Sequence, residues 1–144
     1  MITSEGFYII ERYHHQRFQN RNVLCIAWPG IAAILLPNGR TAHRIFKLPI
    51  SMPCAEEVIV PLHLDKKSKK ILTNVDLIIW DEASMIPEVA LRLIDSTLKD
   101  LLKCDRPFGG KCILFGGDFR QVLPVLKRAG RQQMVHGMIK YTLL

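Results

Sequence analysis

A three-layer α/β fold, with a mostly parallel sheet and helices on both faces, is predicted by three features of this chain. Residues 23–27, 75–80 and 112–115 are short apolar runs without polar alternation, the pattern of strands buried on both faces, as in a helix-covered parallel sheet. Longer segments with apolar residues three to four apart lie between and before them, as helices packed on one side require. The length of 144 residues with 49% hydrophobic content suits one domain with a full core.

In chain order, residues 7–19 form the first helix. Phe7, Ile10, Tyr13 or His14, and Phe18 fall on one stripe, while Glu11, Arg12, His15 and Arg17 fill the remainder. The strand 23–27 follows, then a short apolar helix over 31–36 that Pro37 stops and an Asn38-Gly39 turn leaves. Between residues 50 and 73 the pattern weakens. Pro53 and Pro61 interrupt it, 56–60 reads as strand or irregular, and Lys66-Lys67-Ser68-Lys69-Lys70 reads first as a solvated face and second as a phosphate contact. Asn74 turns or caps into the strand 75–80. Pro87 and Glu88 fit the first turn of a helix reaching about Leu102, whose stripe of Val89, Leu91, Leu93, Ile94, Leu98, Leu101 and Leu102 packs on the sheet. A loop over 105–110 feeds the strand 112–115. Residues 128–136 make a basic turn and helix start, and 141–144 begin a further strand or turn.

Composition narrows the function classes. The formal charge of +7 favours an anionic partner, nucleic acid first. Cys25, Cys54, Cys104 and Cys112 show no paired metal-ligand spacing and read as reduced thiols, with Cys25 and Cys112 in core strands. No signal-peptide layout and no membrane-length apolar run occurs, so a soluble, intracellular protein is expected.

Chemistry concentrates at two strand ends. Leu77-Ile78-Ile79-Trp80 stops at Asp81-Glu82, placing two carboxylates at the carboxyl edge where open α/β sheets bind ligands. This is the Walker B pattern of nucleotide hydrolases, with Asp81 holding Mg²⁺ and Glu82 polarising the attacking water. The plainer reading is a strand leading into a helix whose N-terminus the acids oppose. The second strand end, Cys112-Ile113-Leu114-Phe115, runs into Gly116-Gly117-Asp118-Phe119-Arg120-Gln121, where glycines permit close backbone approach and Gln121 offers both donors and an acceptor.

Together the two stretches resemble motifs II and III of superfamily-one helicases, in particular the petite-integration-frequency family of ATP-dependent DNA helicases and their Helitron-transposon relatives. The resemblance implies a RecA-like P-loop NTPase lobe, truncated at both ends, that occupies residues 1–144 as a single partial domain. It implies ATP and Mg²⁺ as cofactors, with Gln121 on the γ-phosphate and the segment from Asp118 relaying its state. The run from Pro29 through Arg40-Thr41-Ala42-His43 to Phe46-Lys47 resembles the family's motif Ia, which contacts single-stranded DNA. Arg40, Thr41, His43 and Lys47 are then backbone-contact candidates, and Phe46 a base-stacking one. Taken singly, a Phe is more often core and a His more often a satisfied surface residue.

The chain departs from the family at Met1–Gly6, which carries no phosphate-loop lysine and places Glu5 there. The second RecA-like lobe and its arginine finger are also missing. The implied function is ATP-driven 5′-to-3′ unwinding of single-stranded or forked DNA in repair, recombination and telomere maintenance, nuclear in a eukaryote, with this chain alone poorly active or inactive. The alternative is a degenerate, non-hydrolysing DNA- or protein-binding module. A metal-dependent nuclease using Asp81, Glu82 and Asp118 is weakly supported, since no further acid or histidine stands at ligand spacing.

Overall fold

The computed structural model describes residues 4–50 and 60–117. The described residues contain five α-helices and four strands, with two short 3₁₀ turns besides: α1 (Ser4–Phe18), β1 (Val23–Ala27), α2 (Gly30–Leu35), β2 (Arg40–Thr41), α3 (Ala42–Phe46), α4 (Lys66–Asn74), β3 (Leu77–Asp81), α5 (Glu88–Leu102) and β4 (Cys112–Phe115). The strands form one sheet in the order β2-β1-β3-β4, and every pairing is parallel. The expected three-layer α/β architecture is therefore present.

The absence of polar alternation in the strands follows from burial on both faces. Leu24, Ile26, Ile78 and Trp80 point into one core with residues of α3, α4 and α5, whereas Cys25, Ala27 and Ile79 point into a smaller one with Ile9 and Tyr13 of α1 and Ala32 and Ala33 of α2. An aromatic chain runs through the larger core. Phe46 lies 6.1 Å from Trp80, Trp80 5.8 Å from Phe115, and Phe115 6.2 Å from Phe108, between ring centroids.

Capping explains the helix limits. Asp65 accepts the Ser68 N–H at 2.7 Å and starts α4. The Thr41 hydroxyl accepts the Arg44 N–H at 3.2 Å and starts α3. Within α5, Thr97 Oγ1 donates to the Leu93 carbonyl and accepts the Leu62 N–H, so this buried hydroxyl is satisfied. Lys111 Nζ, at the start of β4, donates to the Thr73 and Val75 carbonyls at 2.8 and 2.7 Å and ties β4 to the end of α4.

Three expectations need correction. Phe46 is 0% exposed inside the aromatic chain, so it is a core residue and cannot stack on a base. Cys112 is exposed, because it opens a strand at the sheet's margin, whereas Cys25 is buried as expected. The third strand begins at Leu77 rather than residue 75, since α4 runs through Asn74 and Val75 serves as its C-cap. The basic run of residues 66–70 is the start of α4, with all four lysines solvent-facing. The expected strand over 56–60 falls almost wholly outside the described residues, as do Cys54 and all expectations from residue 118 onward.

The return from α5 to β4 depends on Gly109. Its φ is +62°, and a Cβ there would lie 2.6 Å from the Leu98 carbonyl oxygen. Neighbouring Asp95 accepts the Phe108 N–H at 2.6 Å and holds the turn in place. Gly109→Ala is expected to lose about 2 kcal/mol of stability through backbone strain and contact with α5. A urea midpoint equal to wild type would show that this turn relaxes freely.

Candidate active site

The chain's path defines the site. From β1 the chain returns through α2 over the α1 side of the sheet to β2, whereas from β3 it returns through α5 over the opposite side to β4. Adjacent strands whose crossovers diverge leave a crevice at their carboxyl ends, where α/β proteins place ligands. Here those strands are β1 and β3, with Ala27 beside Asp81 in register.

Asp81 faces the α1 side, like Ile79 two residues earlier. Its Oδ1 accepts the Glu82 N–H at 2.9 Å. Burial raises its pKa above 3.8, against the lowering effect of that hydrogen bond. The neighbouring Cys25 thiol is pushed up to about 12, first by its own burial and then by the Asp81 charge. Glu82 adopts the left-handed conformation, φ 54° and ψ 41°, which a residue with a Cβ disfavours. This conformation turns the chain sharply from β3 into the 3₁₀ turn Ala83–Met85.

The β4 end closes against this turn. Gly116 donates its N–H to the Trp80 carbonyl and accepts the Ala83 N–H, both at 2.8 Å. A Cβ on Gly116 would meet Ile9 Cδ1 at 2.9 Å, and one on Gly117 would meet the Ala83 nitrogen at 2.9 Å. Gly117 is therefore needed for close approach of the two strand ends, whereas a side chain at Gly116 would press on α1. Ser84 Oγ, in the same turn, is buried without a hydrogen-bond partner among the described residues. Asp118 and Gln121 follow this junction but lie outside the described residues.

A magnesium ion fits what is present. Asp81 offers one hard carboxylate in a partly buried crevice, which suits an ion that draws its remaining ligands from water and phosphate. For ATP, the described residues supply only the carboxylate side of the site, and Met1–Gly6 contains no lysine.

The five DNA-contact candidates separate. Thr41 caps α3, and His43 on α3 packs its ring against Trp28, centroids 4.5 Å apart. Lys47, just past α3, pairs with Asp65 at 2.8 Å, which holds the Asp65 carboxyl well below the usual carboxylate range. These three surround the start and end of α3, beside the carboxyl ends of β1 and β2. Phe46 is core, and Arg40 lines a cleft with Asn22, Val23 and Leu24 at the opposite end of β1. Sequence reasoning missed Trp28, although a half-buried tryptophan directly after a strand and before Pro29-Gly30 marks the ligand edge.

The raised pKa of Asp81 has a consequence for stability. A carboxyl whose folded value lies above its unfolded one contributes fully below the unfolded value, and the contribution is lost as pH rises through the folded value. Asp81→Asn, which keeps the acceptor for Glu82 N–H, is therefore expected to melt higher than wild type at neutral pH. Below 3.8 the difference should vanish. Equal melting temperatures at neutral pH would show that the crevice solvates the charge.

A model of the PIF1-like helicase family matches residues 7–144. The ATP-dependent DNA helicase Pif1 of Psychrobacter sp. (strain PRwf-1) is 34% identical over 126 residues, covering 88% of this chain and 19% of that protein. Its counterpart in Bdellovibrio bacteriovorus is 36% identical over 100 residues, covering 69% of this chain and 23% of its own length. The chain thus spans about a fifth of the length of the curated relatives it matches. Among solved structures, Pif1 helicase from Bacteroides in complex with ADP-AlF3 and ssDNA superposes with a TM-score of 0.72 at 24% identity, covering 94% of this chain and 36% of that one. That likeness shows the fold, a RecA-like α/β lobe, and the family match extends over nearly the whole sequence: this chain belongs to the PIF1-like helicase family.

Proposed function

We propose that this chain is the carboxylate-bearing part of an ATP-driven DNA helicase. The observation that carries the reading is the crevice between β1 and β3, where Asp81 and Glu82 stand at diverging crossovers and the glycine junction of β4 closes on them. When bound at Asp81, Mg²⁺ would neutralise phosphate charge. The chain's own residues do the remainder: Glu82, turned out of β3 by its left-handed backbone, orients the attacking water, and Gln121, beyond the Gly116-Gly117 junction, contacts the γ-phosphate. The segment from Asp118 passes that contact on. DNA lies along Thr41, His43 and Lys47, whose hydroxyl, ring and ammonium suit a single strand's backbone. Unwinding of forked DNA with 5′-to-3′ polarity, in repair, recombination and telomere maintenance, is the whole-protein role this reading supports.

The test is a titration with a fluorescent ATP analogue and Mg²⁺, on wild type and Asp81→Ala. Saturable binding that collapses in the variant is expected. A folded wild type that binds no nucleotide would overturn the ATPase reading and leave a DNA-binding module.

The Lys47–Asp65 pair competes with DNA for the same ammonium. Asp65→Asn keeps a cap for Ser68 and releases Lys47. Its affinity for a single-stranded oligonucleotide should rise about threefold at low salt, and the gain should shrink as salt screens the charge. A gain that persists in Lys47→Ala/Asp65→Asn would assign the effect to another residue.

A further inference from the structure

At the amino-terminal end of the sheet, away from Asp81, a cleft of about 370 Å³ opens between α1, α4 and the edge of β1. It exists because β2 is only two residues long and pairs with Ile26 and Ala27, so on the edge away from β3 no described strand flanks the first half of β1. Three cations from separate elements converge on it: Arg17 from α1, Arg40 from β2 and Lys70 from α4. The carboxamide residues Asn22, Asn38 and Asn74 complete the polar lining, over a floor that includes Val23, Ile71 and Val75.

No carboxylate lines the cleft among the described residues. Asp76 stands close by, but its Oδ2 accepts the Asn22 backbone N–H at 2.8 Å. Elsewhere on the surface, Lys47, Lys99 and Lys103 each pair with an aspartate. Arg17, Arg40 and Lys70 form no ion pair among the described residues, and the one side-chain bond in this set runs from Arg17 Nη1 to the Arg21 carbonyl at 3.3 Å. Three like charges held around one concavity repel one another, and an anion bound among them relieves the repulsion. The volume lies at the small end of ligand sites, enough for a phosphate with its sugar but not for a duplex. Arginine's fork suits phosphate oxygens, and carboxamides suit sugar and base edges.

We propose that this cleft is a second phosphate-binding site, one that holds a phosphodiester of a single nucleic-acid strand at the sheet edge opposite the carboxylates. The proposal rests on the DNA-binding part of the function above and not on ATP hydrolysis. With one residue rising about 3.3 Å, β1 separates the two edges by roughly 17 Å.

The experiment is a salt series of oligothymidylate binding, followed by fluorescence anisotropy, on wild type, Arg17→Ala/Lys70→Ala and Lys103→Ala, an exposed lysine outside the cleft. Both cleft positions are solvent-facing. The double variant should bind several-fold more weakly, and its log-affinity against log-salt slope should flatten by about one unit, while Lys103→Ala keeps the wild-type slope. Lys70→Glu alone should act in the same direction, and Arg17→Lys should retain most of the slope. Adenosine monophosphate, added as a competitor, separates a strand site from a free-nucleotide site. Its binding by wild type and loss in the double variant, with the oligonucleotide slope unchanged, would overturn the strand assignment. An unchanged slope in a folded double variant, with no adenosine monophosphate binding lost either, overturns the site altogether, even where the ATP-analogue titration succeeds. Failure of that titration with the expected slope change leaves the cleft standing and removes the ATPase.

Discussion

The five-residue parallel register between β1 and β3, Val23 with Leu77 through Ala27 with Asp81, is the constraint on which the rest of the molecule depends. Both strands are buried on both faces, so a slip by one residue would exchange the Trp80 face with the Ile79 face and turn Asp81 away from α1. The register also fixes where the diverging crossovers leave a crevice. Glu82 can sustain its left-handed backbone only because neighbours over-determine the turn: Gly116 holds Trp80 before it and Ala83 after it, and Gly117 fits against the backbone of Ala83 and Ser84. Local strain at the acid is thus borne by bonds from the end of β4, the next strand in the chain.

The two faces contribute differently. The side holding α3, α4 and α5 carries the large side chains and the row Phe46, Trp80, Phe115 and Phe108, whereas the α1 and α2 side is built around small residues such as Ala27, Ala32 and Ala33. Phe46 anchors α3 to this row, and in doing so sets where Thr41, His43 and Lys47 stand. Each of those polar groups has a structural partner already, in Arg44, Trp28 and Asp65. A ligand at α3 must share these contacts or displace them, which couples its binding to the stability of a five-residue helix.

Strands covered on both faces leave a strong trace in sequence, and β1 and β4 fall on the expected residues while β3 shifts by two at its start. The Asp81-Glu82 pair at a strand end was equally legible. β2 was not, because two residues, one of them Arg40, carry no apolar signature, and the strand exists only through pairing with Ile26 and Ala27. α3 is too short for a periodic stripe, so its Phe46 read as a candidate ligand when it is a core anchor. Cys112 misled for a related reason: its neighbours are apolar, but burial at a sheet margin depends on what lies beside the strand. The cleft of Arg17, Arg40 and Lys70 is wholly tertiary, assembled from residues far apart in the chain.

The sheet consequently presents edges of opposite character. Asp81 and Glu82 mark the carboxyl end, and Arg17, Arg40 and Lys70 line the amino end, in a chain of net charge +7. Lys111 sits at the same end, but its ammonium is spent on the carbonyls closing α4, and burial lowers its pKa. This polarity comes from side chains, since backbone dipoles of a sheet largely fail to add. Its chemical consequence is asymmetric. Phosphate brought to Asp81 and Glu82 meets negative charge and requires a divalent cation to bridge it. Phosphate brought to the amino edge meets uncompensated cations and requires none, so binding there depends on salt rather than on metal. The two groups of side chains thus favour phosphate by two different electrostatic means, one dependent on metal and the other on salt.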